Sequence, residues 1–218
     1  MSEGFLGRLR SILSPAHGES AVPPHRVRLI VGLGNPGKEY AGNRHNVGFW
    51  TINRLARRHG IDLKSSGRAA LGRGRIGEQD VALAKPRTFV NESGAPVWNL
   101  IKRLELDDAQ ELLVVCDDID LPLGKLRLRP EGGDGGYRGL RSIIQATGSD
   151  QFARLRIGIG RPVVRGKPSY EPDVISGYVL SDPPPEERER LDEAVERAIE
   201  VIETALADGI EPAMARYN

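Results

Sequence analysis

Apolar residues fall along this chain in two rhythms. Val27 to Leu33 (VRLIVGL) and Leu112 to Cys116 (LLVVC) are short, nearly unbroken apolar runs. That is the pattern of strands buried on both faces. Ala69–Ile76 and Val81–Lys85 predict two more strands. Lys125–Arg129 (KLRLR) alternates strictly, with one basic face and one apolar face, and Arg154–Gly160 (RLRIGIG) puts Leu155, Ile157 and Ile159 on one side. Between these runs the spacing becomes helical. One helix is predicted from about Asn46 to Gly60, with Phe49, Ile52, Leu55 and Ala56 on one face. Another starts near Pro96, a residue favoured in a first helical turn, and carries Val97, Leu100, Ile101 and Leu104. A third, with Leu140, Ile143 and Ile144, follows the loop Gly132-Gly-Asp-Gly-Gly136. A long acidic helix follows Pro183-Pro-Pro185, with Leu191, Val195, Ala198, Ile199, Ile202 and Leu206 as its core stripe. Strands alternating with helices predict an α/β fold: a single-domain three-layer sandwich whose twisted, mixed and mostly parallel sheet is flanked by helices.

The chain's 218 residues are the size of one domain with an appendage. Residues 1–27 are read as a flexible N-terminal extension, and 28–218 as the single folded domain. Phe5, Leu6, Leu9, Ile12 and Leu13 have helical spacing, but Arg8 and Arg10 interrupt the apolar core that a secretory signal needs. No run of about 18 apolar residues occurs, so no membrane partner is expected. The one cysteine, Cys116, and four scattered histidines give no metal-ligand spacing. No metal and no cofactor are expected, and the default compartment is the reducing cytoplasm.

Charge changes the picture once the chain is cut up. Residues 28–91 carry 12 basic and 4 acidic side chains, whereas residues 171–218 carry 4 and 13, so the net charge of +1 hides a basic front and an acidic tail. Basic excess on one face is the footprint of a polyanion partner, whose condensed counterions are released on binding. Arginine supplies most of it, and its planar fork suits phosphate.

Several chemistries are excluded. The chain has no G-x-S-x-G elbow, H-E-x-x-H or Walker A pattern. Gly32-Leu-Gly34-Asn-Pro-Gly37 matches the dinucleotide fingerprint in letters only. Asn35-Pro36 forces a turn where the fingerprint needs a helix, and the acidic residue expected about 20 positions on is absent. The informative residues lie at the C-terminal ends of the buried strands, where open α/β sheets place their sites. Asn35, Tyr40 and His45 follow the first strand, Asp117 follows LLVVC, and Asn91 follows Phe89. One histidine, one carboxylate and two amides suit hydrolysis of an activated acyl bond by water. Neutral imidazole takes the proton, the carboxylate fixes its tautomer, and an amide NH₂ meets the developing oxyanion. Each residue also has a plain structural reading: Asn35 in a turn, Asn91 and Asp117 as caps, His45 at a helix start.

At these positions the sequence resembles the bacterial-type peptidyl-tRNA hydrolase family. The matching stretches are LIVGLGNPGKEYAGNRHNVGFW (29–50), KPRTFVNESG (85–94), VVCDDIDLPLGKLRLR (114–129), GGDGGYRGLRSI (132–143) and FARLRIGIGRP (152–162). With their spacing they cover residues 28 to about 205. The resemblance implies a monomeric enzyme that cuts the ester between a peptide and the 3′ ribose of tRNA, releasing free tRNA and an N-blocked peptide in translation rescue. It implies His45 as general base, Asp117 orienting it, Asn35 discriminating N-blocked peptides, and Asn91 positioning substrate and water. Tyr40 and Phe89 would line the site near the tRNA terminus, and Arg129 and Arg156 would clamp a tRNA phosphate. The chain departs from the family at Tyr137-Arg138, where a His-Asn pair is usual, and at Val90, where methionine is usual. Arg138 would then reach a phosphate or the terminal adenosine. Chloroplast splicing factors resemble the same family, which leaves a non-catalytic RNA-binding module as the alternative.

Overall fold

The computed structural model describes residues 27–218. The extension predicted for residues 1–27 lies outside them except for Val27, which is buried in the core. Seven strands form one sheet: β1 (Leu29–Gly32), β2 (Lys64–Ser66), β3 (Ala69–Ile76), β4 (Gln79–Pro86), β5 (Leu112–Asp118), β6 (Leu126–Arg129) and β7 (Ala153–Gly158). Their spatial order is β2-β3-β4-β1-β5-β7-β6. The central strands β4, β1, β5 and β7 are parallel, while β2–β3, β3–β4 and β6–β7 pair antiparallel. The three-layer sandwich with a mixed sheet is therefore the observed architecture.

The apolar runs explain the layering. Side chains alternate across a strand, so Ile30, Leu113 and Val115 enter one core and Leu29, Val31, Leu112 and Val114 the other. Helix α1 (Val47–Arg58) covers the first side together with α5 (Pro185–Asp208) and α6 (Ile210–Tyr217). Helices α2 (Gly94–Arg103) and α3 (Arg138–Thr147) cover the second. The short helix α4 (Pro172–Val179) has no buried residue. One close approach seats α1 against the strand ends. A Cβ on Gly48 would stand 2.5 Å from the carbonyl oxygens of both Leu33 and Val115, so only glycine lets the helix lie this near β1 and β5.

One expectation is corrected, and one residue lies where alternation alone does not put it. The basic front does not simply face outward, because three of its twelve basic side chains meet the acidic tail in space. Arg54 bonds Asp192 at 2.8 Å and Glu196 at 3.1 Å, Arg58 reaches Glu196 and Glu203, and Arg44 bonds Glu187 at 2.7 Å. Those arginines are spent inside the fold. The alternation of β7 also does not place Arg154 on a polar surface, since that side chain is 1% exposed. The loop at Gly132 and Gly133 lies over this end of β7, and a buried guanidinium must find acceptors. Arg154 finds them in the carbonyls of Gly132, Gly133, Asp150 and Phe152. It thereby pins the glycine-rich loop.

Candidate active site

The parallel pairing of β1 with β5, in register from Leu29↔Leu112 to Gly32↔Val115, brings two strand ends side by side. The chain after β1 bends past Asn35 and makes two 3-10 turns, Lys38–Tyr40 and Arg44–Asn46, the second of which presents His45. β5 carries Asp117 one residue before its end, and this side chain is 2% exposed. His45 Nδ1 lies 2.8 Å from Asp117 Oδ1 although the two residues are 72 positions apart. A carboxylate on Nδ1 places the ring proton there and leaves Nε2 with its lone pair when the ring is neutral. No described residue bonds Nε2. Burial pushes the His45 pKa down, but the charge and hydrogen bond of Asp117 outweigh it, so the net shift is upward from the ordinary histidine value.

This pair opens into a cavity of about 600 Å³. Asn35, Phe89, Asn91, Arg138 and Arg156 line it together with His45 and Asp117, so the structure brings together most of the residues named from sequence. Asn35 is buried, and its Oδ1 accepts the backbone N–H of Val90 at 2.9 Å. Its NH₂ donates to no described residue, and Asn35 lines the cavity. Asn91 lies in the 3-10 turn Val90–Glu92 and is exposed at the rim, and its side chain bonds no described residue. Tyr40 does not line the cavity. It meets Phe89 edge-on, with ring centroids 6.1 Å apart, and so backs the aromatic wall.

The two phosphate-clamp candidates share a face without touching. Across β6–β7 the register is Arg127↔Arg156 and Arg129↔Arg154, so Arg129 and Arg156 stand on one diagonal of the same sheet face. Arg129 is exposed and outside the cavity lining, whereas Arg156 lines the cavity and bonds Asp118 at 3.3 Å. Arg138 opens α3 and is exposed at the cavity edge. Cys116 sits at the cavity floor, but burial and then the charge of Asp117 push its thiol far up, so it is not an available nucleophile.

Two residues escaped the sequence. Asn46 braces the turn at Asn35 through both its amide atoms. Tyr137 stood out only as a departure from a pattern, yet its hydroxyl donates to Asp117 Oδ1 at 2.8 Å. Its place immediately before a helix at the β5 end was the available signal.

Comparisons with known proteins agree with this geometry. The family model described as peptidyl-tRNA hydrolase matches residues 29–218. A peptidyl-tRNA hydrolase of Herpetosiphon aurantiacus is 47% identical over 192 residues, covering 87% of this chain and 89% of that relative. One from Dehalococcoides mccartyi is 44% identical over 193 residues, covering 88% of this chain and 100% of the relative. The crystal structure of peptidyl-tRNA hydrolase from Acinetobacter baumannii matches with a TM-score of 0.81 at 38% identity, covering 88% of this chain and 94% of that one. Because the match begins at β1 and runs unbroken to the last residue, taking in every strand end that builds the cavity, the chain belongs to the peptidyl-tRNA hydrolase family.

Proposed function

We propose that this chain hydrolyses the ester between a peptide and the 3′ ribose of tRNA, releasing free tRNA and an N-blocked peptide, with His45 as the general base. The observation that carries the reading is the Asp117–His45 pair at the cavity, its Nε2 open to the space where a water can sit. Nε2 takes a proton from that water as the water oxygen attacks the ester carbonyl. Asp117 stabilises the imidazolium as it forms. The imidazolium then returns the proton to the departing 3′ oxygen. Asn91, free at the rim, is the group best placed to hold substrate and water.

Asn35 supplies discrimination by its polarity. Its oxygen accepts the Val90 N–H, which fixes the amide and leaves its NH₂ without a described partner, as a donor for substrate. A blocked N-terminus brings a carbonyl to accept from it, whereas a free α-ammonium brings only more donors. Arg129 and Arg156 are proposed to grip the tRNA backbone, Arg138 to reach a phosphate or the terminal adenosine, and Tyr40 and Phe89 to wall the tRNA terminus. Action as a monomer is proposed with this role, and the role in translation supports a cytoplasmic location. Residues 28–218 are proposed as the catalytic domain. The intact His45, Asp117, Asn35 and Asn91 set argues against a non-catalytic RNA-binding module.

The test is His45→Ala assayed on an N-acetyl-aminoacyl-tRNA. Hydrolysis should fall by about 10²–10⁴-fold while tRNA binding survives, because that is what general bases contribute. Activity within about tenfold of the unaltered enzyme would remove the role from His45.

A further inference from the structure

Two donors converge on a single carboxylate oxygen beside the catalytic ring. His45 Nδ1 and the Tyr137 hydroxyl each lie 2.8 Å from Asp117 Oδ1. The tyrosine ring also packs against the imidazole, with centroids 5.4 Å apart and planes inclined by 52°. Its placement is prepared by the fold. Tyr137 N–H donates to Asp134 O at 3.0 Å just ahead of α3, and its ring packs on the second core cluster. Gly139 leaves the space for it, since a Cβ there would stand 2.8 Å from the tyrosine ring.

We propose that Tyr137 is a positioning residue, whose hydroxyl fixes the Asp117 carboxylate and shares its negative charge with His45. This rests on His45 being the general base. A carboxylate with one buried donor is free to pivot about its Cβ–Cγ bond, and two donors on one oxygen hold it in place. The second donor also takes up part of the charge that would otherwise bear on the imidazolium. Burial and Asp117 both push the Tyr137 pKa well up, so the hydroxyl remains a donor throughout the working pH range. The other titratable groups facing the pair are Cys116 on β5 and, around the same cavity, Asp118, Asp120, Arg138, Arg156 and Arg161. None of these is removed by a change at Tyr137.

The experiment is Tyr137→Phe, which keeps the ring and deletes the donor. With the full carboxylate charge returned to the imidazole, the titration midpoint of His45, followed by NMR of its ring, should rise by about half to one pH unit. The acid limb of kcat/KM should move with it. The freed carboxylate should lower kcat by about three- to thirtyfold while KM stays within about twofold. Should the variant fold poorly, 3-fluorotyrosine placed at position 137 keeps the packing and offers a stronger donor, and must move the midpoint downward. A His45 midpoint that stays put or falls in Tyr137→Phe, or that fails to fall with fluorotyrosine, overturns the proposal. The NMR midpoint needs no turnover, so it is independent of the His45→Ala assay. If hydrolysis survives His45→Ala the general-base reading fails, and if only the midpoint stays put the tyrosine's role fails.

Discussion

Asn46 holds Asn35 by both ends of its amide, accepting the Asn35 N–H at 2.7 Å and donating to the Asn35 carbonyl at 3.0 Å. The pair ties the segment after β1 to the 3-10 turn that carries His45, so the amide proposed to discriminate and the proposed base are set relative to each other by one side chain. Asn46→Ala leaves a buried N–H and a buried carbonyl without partners. Each unpaired group costs about 1–3 kcal/mol, so the two together cost about 2–6 kcal/mol, which at about 2–4 °C per kcal/mol for a domain of this size predicts a melting temperature lower by roughly 4–24 °C. Hydrolysis should fall by about tenfold or more through the displaced ring. Thermal unfolding and a turnover assay check it, and a variant unchanged in both would mean that the turn holds itself.

The acid side of the pH profile follows from the shift at His45. Burial lowers its pKa and Asp117 raises it by more, so the folded ring titrates above the ordinary value near 6.5. Only the neutral ring is a base, so kcat/KM should fall about tenfold per pH unit below that raised value. Asp117→Asn removes the raising charge and leaves the burial. The acid limb should then move to lower pH, while plateau activity drops by about 10²–10⁴-fold, because the tautomer and the imidazolium lose their support. For stability the sign is fixed by the same shift. A group whose folded pKa is raised stabilises the fold below its unfolded pKa, and this contribution is lost as pH rises through the folded value. Unfolding followed against pH should show that contribution in the unaltered protein and its loss in Asp117→Asn. An acid limb that stays in place in the variant would show that Asp117 does not set the His45 titration.

Much of this site was legible because buried parallel strands announce themselves. VRLIVGL and LLVVC carry too many β-branched and aliphatic residues in succession for anything but covered strands, and their ends are where side chains can converge. His45 and Asp117 became candidates on that ground, and the family resemblance gave them their roles. Arg154 did not, because alternation says which residues share a face and not whether that face is covered. The pairing of Arg54 with Glu196, 142 positions away, was equally out of reach, since counting charge along segments cannot say which segments meet. Helix α4 and the two-stranded hairpin Val163–Val164 with Lys167–Pro168 bury almost nothing, so they left no apolar rhythm to read. Tyr137 was hidden for a different reason. A tyrosine next to a glycine-rich loop reads as packing until its hydroxyl is seen on Asp117.

The remaining basic surface can be assayed through its dependence on salt. With Arg44, Arg54 and Arg58 bonded to α5 acids, the arginines left to face a polyanion beside the site include Arg129 and Arg156, on one diagonal of β6–β7. Diagonal neighbours on a sheet face stand about 7–8 Å apart, a span that suits two oxygens of one phosphate or of adjacent phosphates. Removing one arginine that neutralises a phosphate should flatten the log-log dependence of tRNA affinity on salt by about one unit. Arg129→Ala should do so without affecting kcat, because its side chain is outside the cavity. Arg156→Ala should flatten the slope equally and weaken binding further, since it leaves Asp118, 11% exposed, as an unpaired negative charge beside the substrate. The double variant should flatten it by about two units if the two arginines act independently. Titrations of tRNA between about 50 and 200 mM salt, the range over which phosphate neutralisation changes affinity by about 10³–10⁵, distinguish the cases. Slopes that match the unaltered protein would assign both arginines to the fold, Arg156 as the partner of Asp118 and Arg129 as an ordinary exposed strand residue.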